Sequence, residues 1–302
     1  MGSMMKAPRM QDASIADLHE VVLHALDLHS SYEIPELRLP PARRRLVVAS
    51  GNALPTGRIL FAEEPALFAS ESQYEARLAG APDIDHAVVI SASGTKHAPI
   101  VLADLIQRGL EPHLITAEPK SPAARLLPAE RVVATRSLPE PLTYNTSTYL
   151  GMILAKTRED PARIKRFILD EIDPALPDFQ PYRAFYLMLR PRFEVEQPMF
   201  VTKFDELFGG RLTGRCYTSE QTLHAKTVVP WDKELFIDFG CGNDRFGTAR
   251  LSLPMPEAAG FAEMMAVGYY AIGRIQAAMP PWFKEHVGAY RRLQERLFAE
   301  RS

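Results

Sequence analysis

Apolar positions along this chain follow two periods, and the switches between them mark the elements. Residues 87–90 form a short β-branched run of the kind that fills a strand covered on both faces. Residues 99–107 then repeat apolar side chains at helical spacing until Gly109 stops them. His113–Thr116 reads as the next strand, so strand, loop, helix and strand make one right-handed crossover unit. Upstream, residues 12–28 predict an amphipathic helix with Ile15, Leu18, Val22, Ala25 and Leu26 on one side. His19, His24 and His29 recur every five residues, so they share no helix face and read as surface histidines. A proline-rich bridge at 35–41 leads into a first strand beginning at Leu46. The first lobe ends near Ser137, a long helix at 146–172 leads out of it, and Pro174, Pro177 and Pro181 punctuate the boundary.

The second half echoes this order without repeating the sequence. Ala184–Leu189 suits a buried strand, and 199–208 a helix with Met199, Phe200, Phe204 and Leu207 on its apolar side. A strand at 215–217, a helical stretch at 219–224 and a strand at 235–239 follow, and helices at 257–279 and Trp282–Ala299 close the chain. The resulting division is a helix and bridge at 1–40, a first lobe at 41–155, a linking helix at 156–182 and a second lobe at 183–302.

The loop after the 87–90 strand carries the first candidate chemistry. Ser91, Ser93, Gly94 and Thr95 put hydroxyls and backbone N–H groups at the positive end of the following helix, where an anion such as phosphate is stabilised. A plain polar turn capped by Ser or Thr uses the same residues. The glycine-rich turn at 239–244 reads as a tight loop, since it lacks the spacing of a dinucleotide site.

Composition narrows the partners. The 302 residues are 46% hydrophobic and 24% charged, as in globular proteins with a sizeable core. A net charge of −2 gives no polyanion-binding excess, which argues against nucleic acid. No apolar run approaches the roughly 20 residues of a membrane span, and the start has no signal-peptide core. Cys216 and Cys241 are too few for a disulfide framework or a zinc site, so a cytoplasmic location is expected. Met1 to Met4 reads as an expression remnant.

Several motifs together resemble the sugar isomerase (SIS) domain family of phosphosugar-binding proteins. Ser91-Ala92-Ser93-Gly94-Thr95-Lys96 keeps both serines and the glycine of the family's Ser-x-Ser-Gly-x-Thr loop, with the threonine one place earlier. Thr116 and the following Ser121-Pro122 resemble the family's next strand end, and Ser50-Gly51-Asn52-Ala53 its first glycine loop. In the second half, Lys203-Phe204-Asp205-Glu206 resembles the glutamate segment of double-lobed SIS isomerases, and 219–225 the histidine segment, with Gly209-Gly210 taking up extra spacing.

The resemblance implies an α/β protein of two SIS-type three-layer α-β-α lobes with mainly parallel sheets. Phosphate would bind at Ser91, Ser93, Gly94, Thr95 and Lys96, and the sugar at Gly51, Asn52, Ala53, Thr116 and Glu220. Aldose–ketose isomerisation moves a proton between neighbouring carbons through a cis-enediol, which a carboxylate can shuttle; Glu206 is the candidate. His224 is the candidate for ring opening, a proton transfer suited to a histidine, and Arg136 for an anionic oxygen of the enediol. On the residues alone, Glu206 also reads as a helix residue paired with Lys203 or Lys226, His224 as a capping or packing histidine and Arg136 as a surface arginine. The family implies a homodimer with its site near the subunit interface and no metal or organic cofactor. Its last helix carries a lysine on the substrate oxygen; here Gln294 or Glu295 falls there, with Lys284 earlier. A non-catalytic phosphosugar sensor is the competing expectation.

Overall fold

In a computed structural model, which describes residues 15–225 and 228–299, the chain builds two parallel sheets. Residues 1–4, the first part of the expected 12–28 helix and Lys226 lie outside the described residues. The first sheet holds β1 (Arg45–Val48), β2 (Ala66–Ala69), β3 (His86–Ile90), β4 (His113–Thr116) and β5 (Val132–Ala134), in the order β2-β1-β3-β4-β5. The second holds β6 (Ala184–Leu189), β7 (Thr213–Thr218), β8 (Glu234–Phe239) and β9 (Ala249–Leu253), in the order β7-β6-β8-β9. Every pairing is parallel. The α-helices are α1 (Leu18–Ser30), α2 (Ala53–Leu60), α3 (Tyr74–Gly80), α4 (Ala98–Gln107), α5 (Thr146–Thr157), α6 (Pro161–Phe167), α7 (Gln197–Phe208), α8 (Ser219–Ala225), α9 (Phe261–Ala278) and α10 (Trp282–Ala299). The α/β class expected from the sequence is therefore what the chain adopts.

The central strands β1, β3, β6 and β8 are buried along their whole length, which is why they read as continuous apolar runs and not as alternating ones. One core joins the lobes: Val47, Val88 and Ile115 of the first sheet belong with Phe185, Leu187 and Ile237 of the second. Between them runs α9, apolar almost all round and buried accordingly.

Each sheet reverses its strand order once, between β1 and β3 and between β6 and β8. Beyond the strand ends such a reversal leaves a crevice, the usual seat of ligands in α/β sheets. In the second lobe the crevice is filled from within. Arg190, just past β6, donates to the carbonyls of Gly240 (2.9 Å), Pro256 (2.8 Å) and Met255 (2.7 Å). Gly240, at φ 71°, lies so close that a Cβ would stand 2.7 Å from the guanidinium.

The long helix expected at 146–172 is broken. Arg158 turns left-handed at φ 59°, Asp160 accepts from the Ala162 N–H (2.9 Å) as a cap, and Pro161 restarts the helix as α6. The break lets the Glu159 carboxylate accept from the Gly260, Ala262 and Glu263 N–H groups at the start of α9. The surface reading also fails for His29, which is 2% exposed and hydrogen-bonds the Ser147 carbonyl at 2.8 Å, joining α1 to α5.

Candidate functional site

The first lobe's crevice is open, and the Ser91 loop forms its floor. Ser91 continues the β3 ladder by donating to the Ile115 carbonyl (3.0 Å), and its hydroxyl accepts from the Gly94 N–H (3.1 Å). Gly94, at φ 59°, passes so near the next loop that a Cβ would stand 2.3 Å from Ser121 Oγ, and its carbonyl accepts from Ala123 (3.0 Å). Thr116 is spent on the same clamp: its hydroxyl donates to the Ala92 carbonyl (3.2 Å) and accepts from Glu118 (3.1 Å). The hydroxyls of Ser93 and Thr95, 2.8 Å apart, and the Lys96 side chain sit on exposed residues ahead of α4. Backbone and Ser91 thus fix the loop, while the outer hydroxyls face outward.

Beside this loop lies a cavity of about 280 Å³, walled by Ser50, Ala53, Ser91, Ser93, Lys96 and Tyr149, with Glu71 and His97 at its side. Gly51, left-handed at φ 54°, turns the chain into α2, where Asn52 is the buried N-cap; neither lines the cavity, whereas Ser50 does. Ser50, Glu71 and Tyr149 were not among the expected site residues. Ser50 and Glu71 were reachable, because both follow strands at this end of the sheet. Tyr149 comes from a helix distant in sequence and gave no signal.

Glu206 stands elsewhere, near the end of α7. Lys203, one turn earlier and wholly buried, donates to Glu206 Oε2 (2.6 Å) and to the carbonyls of Thr143 and Tyr144 (both 2.8 Å), using all three of its N–H bonds. Burial pulls the Lys203 ammonium below its ordinary range and pushes the Glu206 carboxyl above its own; in each case the opposite charge of the partner resists. The carboxylate is thereby more basic than a free one. Thr143 and Asn145, at φ 80° and 47°, hold the receiving loop in left-handed geometry that a β-branched residue rarely adopts. Glu206 lines a second cavity of about 490 Å³ with Thr143, Asp205, Trp282, His286 and Tyr290. It also acts on the first cavity. Burial and, after it, the Glu206 charge push the Tyr149 phenol well above its ordinary range.

The remaining expected residues are not gathered with these. On α8, Glu220 and His224 are exposed, and Thr222 meets the Tyr186 hydroxyl at 3.3 Å. Tyr186 and Phe236 stack on that face of the second sheet, whereas Phe185 packs on Phe204 of α7 on the other. Glu206 and His224 therefore belong to helices on opposite faces of one sheet. Arg136, past the edge strand β5, is exposed with its guanidinium 4.5 Å from the Tyr32 ring centre. On α10, Lys284 is paired with Asp17 (2.9 Å) and Gln294 with the Tyr290 hydroxyl (3.1 Å). Among the described residues, no cluster of His, Cys, Asp and Glu is arranged to hold a metal ion, and no helix is long and apolar enough to cross a membrane.

No family model matches the chain, and no curated protein matches it. Solved structures do. The C-terminal domain of glucosamine-fructose-6-phosphate aminotransferase from Francisella tularensis aligns with a TM-score of 0.57 at 12% identity, covering 90% of this chain and 94% of that one. Tagatose-6-phosphate ketose/aldose isomerase from Escherichia coli gives 0.56 at 12%, covering 87% and 89%. Glucosamine-6-phosphate deaminase from Thermotoga maritima gives 0.58 at 14%, covering 86% and 91%. Across both lobes, this chain has the fold of these aminotransferase-domain, isomerase and deaminase structures, the double-lobed SIS architecture that its sequence motifs resemble.

Proposed function

We propose that the chain binds a sugar phosphate in the first-lobe crevice and interconverts its aldose and ketose forms. The observation that carries this reading is the open crevice itself, floored by a clamped Ser/Gly/Thr loop at a strand-order reversal. Phosphate is held by the Ser91, Ser93 and Thr95 hydroxyls, the Gly94 backbone and Lys96, with Ala53 on the sugar side and Gly51 and Asn52 behind it, turning the chain into α2. Thr116 contributes by holding the loop.

Glu206 takes the proton from the carbon beside the carbonyl, giving a cis-enediol, and returns it to the neighbouring carbon; the hydroxyl proton moves between the two oxygens. His224 and Glu220 face outward, so they serve the site of a partner subunit in a homodimer. Exposed Leu223, Val228, Val229 and Trp231 beside them supply an apolar surface for that pairing. Arg136 joins an enediol oxygen only if its side chain leaves Tyr32.

The test is proton NMR in heavy water with a panel of hexose and pentose phosphates. Protein-dependent loss of signal at C1 and C2, abolished in Glu206→Gln, is the expected result. A second reading, a phosphosugar sensor, is favoured by one observation: Glu206 is tied to Lys203 and lies outside the phosphate-loop cavity. Saturable binding without exchange for any sugar decides for the sensor.

A further inference from the structure

Tyr149 lines the first crevice, and its phenol also lies within the electrostatic reach of Glu206. It belongs to the first turn of α5, lines the cavity together with the Ser91 loop, and is 7% exposed. Buried tyrosine hydroxyls ordinarily find a hydrogen-bond partner. The neighbouring aromatic residues follow that rule: Tyr144 bonds Gln276 and the Ala16 carbonyl, Tyr74 bonds Asp104, and Tyr270 bonds Asp173. The Tyr149 hydroxyl has no such partner among the described residues. Tyr269 is also unpartnered, but its hydroxyl is sealed in the core and borders none of the cavities described above, whereas Tyr149 belongs to a cavity wall.

Glu71 Oε2 in the same wall is also without a hydrogen-bond partner among the described residues, but a carboxylate oxygen accepts and cannot donate to a sugar oxygen. Lys203 spends its three N–H bonds on Glu206 and two carbonyls, Thr116 spends its hydroxyl on the loop, and Lys284 on α10 is paired with Asp17. A ligand whose phosphate sits on the Ser91 loop presents its sugar end to the rest of the cavity lining, Tyr149 included. We propose that the Tyr149 hydroxyl is the hydrogen-bond donor to the sugar oxygen that alternates between carbonyl and enediol. As the proton leaves carbon, negative charge grows on that oxygen, and a neutral donor fixed in a helix strengthens its bond there without reorganising. The raised phenol pKa keeps the proton on Tyr149, so it donates a hydrogen bond and does not itself act as a base.

This inference rests on the isomerase reading, and its test separates the two. Wild-type protein and Tyr149→Phe are compared for binding of inorganic phosphate, for binding of the hydroxamate of a five-carbon aldonic acid phosphate, a planar enediolate mimic, and for carbon-bound hydrogen exchange with the sugar-phosphate panel. Expected are unchanged phosphate binding, hydroxamate affinity weakened about tenfold, and exchange slowed roughly 100-fold in kcat with little change in KM. Fluorotyrosine at position 149, which keeps the ring and acidifies the hydroxyl, should bind the hydroxamate more tightly; a ring that only packs would not respond. Unchanged hydroxamate binding and exchange in Tyr149→Phe overturns the proposal, as does equal loss of phosphate and hydroxamate. Selective loss of hydroxamate binding in a protein whose wild type exchanges no sugar upholds Tyr149 as the sugar contact and overturns only the isomerisation.

Discussion

Two buried ionisable residues carry opposite consequences. Lys203 is compensated on every side, so Lys203→Met leaves the Glu206 carboxylate and two carbonyls without their donor and should cost about 3–5 kcal/mol in urea unfolding. Replacing both Lys203 and Glu206 by apolar residues should recover part of that loss. Glu196, at the start of α7, is uncompensated: both carboxyl oxygens are buried without a hydrogen-bond partner among the described residues. Burial, and after it the Glu159 charge, push its carboxyl well above the usual range, so the folded chain keeps a proton that the unfolded chain releases. Stability from this group therefore falls as pH rises above the ordinary carboxylate range. Glu196→Met should stabilise by roughly 1–3 kcal/mol, with the larger gain at alkaline pH, as read from thermal midpoints. At Gly94 both the positive φ and the contact with Ser121 oppose a side chain. Gly94→Ala should weaken phosphate binding more than it lowers the melting temperature.

At the scale of elements, the ends of the first sheet have different chemistry. Away from the crevice, the first residues of β1, β3 and β4 are Arg45, His86 and His113; the Arg45 guanidinium meets His86, whose Nε2 lies 2.9 Å from His113 Nδ1. Burial first, and then the charges of Arg45 and His113, push His86 down to about 4. An unfolded histidine charges near 6.5, so between these values the unfolded chain binds more protons. The His86 contribution to stability should be level above neutrality and decline as pH falls through that window, and His86→Gln should flatten the decline. The strands at this level were legible because those covered on both faces leave an unbroken apolar run, as 87–90 and Ala184–Leu189 do. The α5–α6 break was not taken from the sequence, although Asp160-Pro161 carries a cap and a proline; the apolar period continues through it and outweighed them. His29 escaped notice because its burial depends on α5, more than a hundred residues away.

For the whole molecule, local motifs located the Ser91 loop beside the open crevice, since all its parts fall within one crossover unit. Sequence spacing could not show that α7 and α8 would lie on opposite faces of the second sheet, because that follows from how the strands reorder. In the proposed homodimer the partner subunit would supply the histidine that Glu206 lacks, and the protein should sediment as a dimer. Trp231→Glu, which places a charge in the exposed apolar surface, should shift it to monomer and slow exchange together.

The guanidinium of Arg190 has a further consequence at this scale. It already occupies, from the chain's own sequence, the crevice where the second lobe would receive a guest. The two halves thus share an architecture without sharing an opening: one crevice stands open, the other is braced by its own arginine. A calorimetric titration with sugar phosphate should accordingly end at one equivalent per chain, so that a dimer counts two guests and not four.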